Sequence, residues 1–211
     1  MRTLTSAALQ GGFLTLTVIA ALRACDPVLS VAVVSAVTVT LAWFAALSRD
    51  DTASGLDVTG TLPGVALALV GRASWGNLLP TLAMQAVIAV ALGAGAKALD
   101  DRLGPTLLIA TGAPTLALAG IAGGLAGIAT AWVNLAIDGD GPIALAAVPP
   151  LLAGATGPLA LLAIFHPAAA LGLSTAGVLP WDVTAVGLSA ALLGTVLGTY
   201  AIGALLPSEN E

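Results

Sequence analysis

The chain contains one histidine, His166, and this residue directly precedes a proline. An imidazole donates or accepts hydrogen bonds, and an unperturbed pKa of about 6.5 lets it exchange protons near neutral pH. Residues 166–173 (HPAAALGL) share a pattern with residues 62–69 (LPGVALAL): a proline, Ala-Leu three and four positions later, and a further Leu. The two stretches lie 104 positions apart, so each half of the chain has one copy.

Few other residues in the sequence are suited to catalysis or metal binding. His166 has no carboxylate nearby in sequence with which to form a nucleophile–base–acid set. The single Cys25 excludes an internal disulfide and a cysteine metal cluster. Asp138 and Asp140 are too few for a calcium loop, and residues 93–97 (GAGAK) lack the flanking pattern of a phosphate loop. We therefore expect no enzymatic activity, no metal and no cofactor.

The composition predicts an integral membrane protein. Hydrophobic residues make up 58% of the chain and charged residues only 8%, whereas a soluble domain carries about 25% charged residues. The formal net charge is −5 and no basic patch is present, so we expect no nucleic-acid partner. The bias toward Ala, Gly, Leu and Val is typical of a high-GC bacterium, and it predicts the bacterial plasma membrane as the location.

Six apolar stretches reach the roughly 20 residues that a membrane span requires. They are residues 6–23, 28–48, 78–98, 105–127, 142–165 and 182–206, and the fourth can continue as a helix to about residue 137. The first could pass for a signal peptide, but another apolar run follows it at once, so we predict a span.

Two further apolar stretches, 63–72 and 167–174, are too short to cross a bilayer. Each begins with a proline, which suits the first turn of a helix, and each is followed by a tryptophan, Trp75 or Trp181, and then a full span. Non-helical backbone at membrane depth must be buried in protein or line a wet cavity. The loop before each half-helix is therefore predicted to line a pore or a site.

Both halves of the chain have the same order of elements: two spans, a half-helix and a span. We therefore predict an all-α polytopic protein, 1–211, that forms one transmembrane domain from repeats of approximately 1–102 and 103–211. Because each half has three spans, the second half is inverted, and the half-helices meet at the midplane with facing N-termini. Their dipoles would favour polar solutes and repel cations.

With these features the chain resembles the aquaporin and glycerol-facilitator (major intrinsic protein) family over nearly its whole length. That family has six spans and two re-entrant half-helices opened by Asn-Pro-Ala. The residues that stand at the two altered motifs are Leu62, Pro63 and Gly64, and His166, Pro167 and Ala168. Both asparagines, which donate to the solute in the family, are replaced. The resemblance also implies a homotetramer with cytoplasmic termini. The segments predicted on each side of the membrane carry three basic residues, so the distribution of charge does not indicate which side is cytoplasmic.

The resemblance places a selectivity filter at Trp43, Gly154, Ala163 and Ala169, with Ala169 in place of the family's arginine. Such a filter would be wide and apolar, and the glycine in the fifth span is similar to that of glycerol facilitators. From the residues themselves, Trp43 equally fits a membrane-interface position. Gly154 and Ala163 equally fit close packing between helices.

An ionisable side chain at mid-membrane depth predicts a functional role for His166. The positive end of the half-helix dipole favours a neutral imidazole, which would line the pore and donate to or accept from a solute. Proton relay and plain packing remain alternatives.

The sequence favours a passive channel for water and/or small uncharged, glycerol-like solutes, embedded in the lipid bilayer. Two other classes stay open. One is a pH-dependent secondary transporter or proton-linked channel that uses His166. The other is a non-conducting scaffold with the aquaporin fold.

Overall fold

A computed structural model describes residues 2–24, 26–47, 61–103, 114–135 and 145–205. Within these ranges the regular secondary structure is entirely helical. We number eight α-helices of the described chain in order; a 3-10 helix lies between the sixth and the seventh. The bounds are α1 Arg2–Ala24, α2 Pro27–Leu47, α3 Thr61–Leu69, α4 Trp75–Leu103, α5 Leu116–Leu135, α6 Val148–Gly154, the 3-10 helix Leu159–Phe165, α7 Pro167–Thr175 and α8 Trp181–Leu205.

Three helices, α4, α5 and α8, are long and apolar enough to cross a membrane, with 29, 20 and 25 residues. Helices α1 and α2 contribute the shorter apolar segments Ala8–Arg23 and Pro27–Leu41. The described helices are therefore compatible with an integral membrane protein, in agreement with the composition.

The sequence predicted one continuous span over 142–165, of which the structure describes residues 145–165. In this part the prediction is wrong. Helix α6 ends at Gly154, and the chain turns through Gly157, whose φ of 122° lies in the region that favours glycine. Pro158 then follows, and it has no N–H with which to continue a helix. The backbone resumes as the 3-10 helix.

The fourth span was predicted to begin at residue 105. Residues 104–113 lie outside the described part of the chain, and within that part the helix begins at residue 116. Helix α5 begins at Leu116, and the Oγ1 of Thr115 accepts a hydrogen bond of 3.3 Å from the N–H of Leu118. A threonine at this position caps the first turn, because it satisfies one of the N–H groups that have no partner within the helix. The predicted continuation past residue 127 is confirmed, since α5 ends at Leu135.

The two short helices α3 and α7 have nine residues each and agree with the predicted lengths. Helix α7 begins at Pro167 as predicted, whereas α3 begins at Thr61, two residues before Pro63. In each case a glycine with positive φ, Gly71 (75°) or Gly177 (81°), lies two residues past the end of the helix. This conformation ends a helix because it turns the backbone away from the helical path.

The C-terminal hydrogen bonds of α3 and α7 are also equivalent. The N–H of Arg72 donates to the carbonyl of Leu67 (2.9 Å), and the N–H of Val178 donates to the carbonyl of Leu173 (3.0 Å). Each bond satisfies a carbonyl near the end of its helix. Helices α4 and α8 then begin at equivalent tryptophans, Trp75 and Trp181.

The packing of the helices is repeated in the two halves of the chain. Helix α1 packs against α2 and α4, and α5 packs against α6 and α8. Helix α3 contacts α4, α5 and α8, and α7 contacts α8, α1 and α4. The pairs α2–α6 and α3–α7 join the halves. Exchanging α1, α2, α3 and α4 with α5, α6, α7 and α8, in that order, leaves this set of α-helix contacts unchanged.

Glycines allow α5 and α8 to approach at backbone distance. A Cβ atom on Gly123 would lie 2.0 Å from the carbonyl oxygen of Gly187, and one on Gly127 would lie 2.1 Å from that of Ala191. Small residues at such contacts maximise dispersion between helices where lipid supplies no hydrophobic driving force. The same principle acts between α4 and α7, because a Cβ on Gly93 would lie 2.1 Å from the carbonyl oxygen of Gly172.

We expect Gly127→Ala to destabilise the protein by about 1–3 kcal/mol, because the added methyl group overlaps a backbone carbonyl that cannot move aside. The matched control is Gly124→Ala on the same helix, where an added Cβ has no atom within 4 Å. That change should be neutral or stabilise by about 0.5–1 kcal/mol, since alanine favours a helix over glycine. Thermal unfolding in detergent measures both; equal effects would contradict the close packing of α5 and α8.

Candidate functional site

His166 lies between the 3-10 helix and α7 and caps the N-terminus of α7. Its backbone is extended (φ −130°, ψ 107°), and its Nδ1 accepts a hydrogen bond of 3.4 Å from the N–H of Ala169. Its own N–H donates to the carbonyl of Ala163 (3.1 Å). Pro167 occupies the first helical position, where its missing N–H leaves no bond unmade. His166 therefore joins two of the predicted filter residues, Ala163 and Ala169, through hydrogen bonds.

The other ring nitrogen of His166 is buried without a partner. Nε2 has no hydrogen-bond partner among the described residues, and the side chain is only 1% exposed. The ring of Phe165 meets the imidazole edge-to-face, with centroids 6.0 Å apart. A buried polar group left unsatisfied costs about 1–3 kcal/mol. Native structures rarely carry such a cost without a reason, so the unpartnered Nε2 marks His166 as a candidate functional residue.

The segment that leads to His166 is wholly apolar and buried. Every residue of the 3-10 helix Leu159–Phe165 is buried. This helix contacts α1, α5, α6, α7 and α8, and a Cβ on Gly187 of α8 would lie 2.4 Å from the Cδ1 of Ile164. A glycine at that position makes room for the isoleucine, so the packing of α8 holds the segment in place.

The first altered motif lies wholly inside a helix, whereas the second begins one residue before a helix. Leu62 is 0% exposed and is the second residue of α3; Gly64 is buried and Pro63 is half-buried. By contrast, His166 precedes α7, in which Pro167 is half-buried and Ala168 is buried.

The structural repeat has a different register from the sequence motif. The C-capping glycines Gly71 and Gly177 are 106 residues apart, and so are Trp75 and Trp181. The proline motifs are 104 residues apart. The proline motifs are therefore offset by two residues from the capping glycines and the tryptophans. The residue that this register pairs with His166 lies outside the described residues.

The four predicted filter residues occupy different environments. Ala163 and Ala169 are completely buried. Gly154 is half-buried and packs against α2, since a Cβ there would lie 2.6 Å from the Cγ2 of Val31. Trp43 is 49% exposed on α2. The structure thus places Ala163 and Ala169 beside His166, while the surroundings of Gly154 match those of a packing residue.

Sequence analysis missed two buried polar atoms in the predicted spans. Gln85 Oε1 on α4 and Ser35 Oγ on α2 have no hydrogen-bond partner within the described part of the chain. Gln85 is 2% exposed and lies against Gly11 of α1. The sequence does carry a signal for Gln85, because its side-chain amide stands in an otherwise apolar span. A polar group is costly in a membrane and often marks a functional position.

A hydrogen bond joins the C-terminal end of α7 to the first turn of α8. The hydroxyl of Ser174 donates to the carbonyl of Ala170 in its own helix (3.0 Å) and also pairs with the hydroxyl of Thr184. Both side chains are buried. Since α7 carries His166 at its other end, this pair helps to fix the position of the candidate site.

No protein-family model matches the chain, and no curated protein matches it. Among the described residues no group of three His, Cys, Asp or Glu side chains could hold a metal ion. The functional interpretation therefore rests on the contacts of the helices and on the geometry around His166.

We expect Ser174→Ala and Thr184→Val to couple in a double-mutant cycle by about 0.5–1.5 kcal/mol, because each removes the same hydrogen bond. The free energy of unfolding in detergent is measured for the two single variants and for the double variant. Thr199→Val is the control, since the Thr199 hydroxyl donates within its own helix, to the carbonyl of Thr195 (2.7 Å). Additive effects of the two changes would show that the Ser174–Thr184 bond does not stabilise α7.

Proposed function

We propose that the chain is an aquaporin-like membrane channel that passes water and/or small uncharged, glycerol-like solutes down their gradients. The observation that carries the proposal is the set of helix contacts that is unchanged when the two halves are exchanged. Each short helix packs against helices of the other half, α3 on α5 and α8, and α7 on α1 and α4. Two inverted repeats that each insert a half-helix into the opposite half would produce this set of contacts.

In this proposal α1, α2, α4, α5, α6 and α8 belong to the six spans, and α3 and α7 are the re-entrant half-helices. The fifth span is interrupted, and the buried 3-10 helix forms its continuation toward the midplane. Irregular backbone is tolerated at that depth because it is surrounded by protein. The location in a bacterial plasma membrane, the cytoplasmic termini and a homotetramer belong to the same proposal.

The contact between α3 and α7 supports a solute path at the point where these helices meet. The N-terminus of a helix carries a partial positive charge, and two such termini facing one point repel cations. In this proposal His166, which caps α7, is a polar side chain that lines the path. Neutral solutes are therefore the class that the site would admit.

A second candidate, a non-conducting scaffold of the same fold, is favoured by the burial of the centre. Leu62, Ala163 and Ala169 are completely buried, and His166 is almost so. A conducting channel must widen at these residues, whereas a scaffold need not. The two candidates differ in one measurable property, which is flux through a folded protein.

The test is stopped-flow light scattering on proteoliposomes, with water and glycerol permeability compared with those of empty liposomes. The channel predicts faster flux of at least one of the two, independent of membrane potential. Background rates from protein shown to be folded would remove the channel and leave the scaffold. A potential-dependent or pH-dependent flux would instead support the transporter that uses His166.

A matched pair of truncations tests whether Leu62 lies at the constriction. We expect Leu62→Ala to raise glycerol permeability, because in this proposal the completely buried Leu62 narrows the path and the change removes three of its carbon atoms. Leu78→Ala removes the same atoms from a separate buried cluster with Val65 and Ala68, and should leave permeability unchanged. Each change costs about 2–5 kcal/mol of stability, so unfolding is measured alongside flux. Equal permeability of the two variants would place the constriction elsewhere.

A further inference from the structure

We propose that Gln85 of α4 is a binding site for one hydroxyl-bearing molecule, which donates a hydrogen bond to the side-chain oxygen Oε1. The bound molecule is a resident water or the permeating hydroxylic solute, because both supply the same O–H donor. The inference rests on the proposed channel function only for the second of these sources. It begins from an amide oxygen that the described residues bury and leave without a partner.

The amide of Gln85 is buried at the contact between α1 and α4. The side chain is 2% exposed, and Oε1 has no hydrogen-bond partner among the described residues. A Cβ atom on Gly11 would lie 3.0 Å from the Cβ of Gln85, so a glycine on α1 makes room for this side chain. Thr15 lies one turn further along α1, but its hydroxyl donates to the carbonyl of Gly11 (2.8 Å). The amide oxygen therefore remains an acceptor for a bound molecule.

The second half of the chain has an alanine where the first half has Gln85. Residue 191 lies 106 positions after residue 85, which is also the spacing of Trp75 and Trp181. Ala191 is completely buried, and its carbonyl oxygen would lie 2.1 Å from a Cβ on Gly127. An alanine thus suffices for close packing of two helices at this position. Packing alone does not require a glutamine at residue 85, where an unsatisfied buried amide is costly.

The contact between α4 and α7 shows that these two helices run in the same direction. A Cβ on Gly172 would lie 2.9 Å from the carbonyl oxygen of Ala89, and the carbonyl oxygen of Gly172 would lie 2.1 Å from a Cβ on Gly93. In an α-helix the Cα–Cβ bond tilts toward the N-terminus, and the carbonyl points toward the C-terminus. The N-terminal side of Gly172 therefore faces Ala89, and its C-terminal side faces Gly93.

Gln85 consequently lies at the level of the first turn of α7. It precedes Ala89 by four residues, about 6 Å along α4, and Pro167 precedes Gly172 by five residues, about 8 Å along α7. The solute path is proposed at the contact of α3 and α7, and α4 contacts both of these helices. The unpartnered amide is therefore close to the region of the proposed path.

A hydroxyl group matches the amide better than other polar groups do. The amide presents one acceptor oxygen and an NH₂ donor, whereas a hydroxyl both donates and accepts, so it pairs with the amide in either orientation of the side chain. A molecule without a donor hydrogen leaves Oε1 unpaired, and a buried site discriminates against such a molecule. Water and glycerol both carry the required group. Dimethyl sulfoxide has no donor hydrogen and serves as the comparison solute.

Magnetisation transfer identifies the bound molecule. The chain has two glutamines, Gln10 and Gln85, so protein labelled with ¹⁵N-glutamine and reconstituted in liposomes should give two side-chain NH₂ signals, which a Gln10→Met variant assigns. Under conditions of slow amide exchange, we expect the Gln85 signal to receive magnetisation from water, or from the C–H protons of added glycerol when the solute occupies the site. Transfer from neither would overturn the inference, whether or not the protein conducts.

Permeability of two variants separates the two sources. Gln85→Met keeps the length of the side chain and removes the amide, whereas Gln85→Glu retains an oxygen acceptor. If the solute donates to Gln85, glycerol permeability should fall about tenfold in Gln85→Met, the effect of one hydrogen bond, and be largely retained in Gln85→Glu. Dimethyl sulfoxide permeability should be the same in both. Unchanged glycerol permeability in Gln85→Met, together with magnetisation transfer from water, assigns the site to a resident water.

The matched control is Gln10→Met, because Gln10 is half-buried and lies about 100° around α1 from Gly11, the residue that meets Gln85. Its permeabilities should equal those of the unchanged protein. If Gln85→Met slows glycerol and dimethyl sulfoxide equally, the change acts through packing and the solute contact is wrong. If the unchanged protein shows only background permeability, the channel proposal fails, and magnetisation transfer still decides whether Gln85 binds water.

Discussion

A helix that ends in a buried part of a protein leaves backbone N–H and carbonyl groups where water cannot reach them, and this constraint shapes the surroundings of His166. At α7 both ends are satisfied by the chain itself. His166 accepts from the N–H of Ala169 at the beginning of the helix, and the N–H of Val178 donates to the carbonyl of Leu173 at its end. The imidazole must cap the helix first, so only its second nitrogen remains for other chemistry.

The same constraint explains the glycines. Short helices that stop within the protein are stabilised by contacts with their neighbours, because they have few internal hydrogen bonds of their own. Gly93 and Gly172 bring α4 and α7 to backbone distance, and Gly187 leaves space for Ile164 of the 3-10 helix. In a membrane, dispersion between closely packed backbones would therefore replace the hydrophobic effect, which lipid does not supply.

Much of the architecture could be predicted from residue type and order. The long apolar runs predicted α4 and α8, and Pro167 predicted the first residue of α7. The fifth span was mispredicted because hydropathy does not register backbone direction: Gly157 and Pro158 interrupt a stretch that is apolar throughout. The short Pro-Ala-Leu match has a spacing of 104 residues, whereas the pairs Gly71–Gly177 and Trp75–Trp181 are 106 residues apart.

The sequence by itself determined that the chain is apolar enough for a membrane, that it has two helices too short to cross one, and that its single histidine stands at the beginning of the second. These properties depend only on composition and on neighbouring residues, so the length of an apolar run and the position of a proline are enough to predict them. Only the tertiary structure decided that Nδ1 caps α7 and that Nε2 is buried without a partner among the described residues. That outcome depends on where the 3-10 helix and α8 pack, and contacts between residues distant in sequence are not encoded in any one segment.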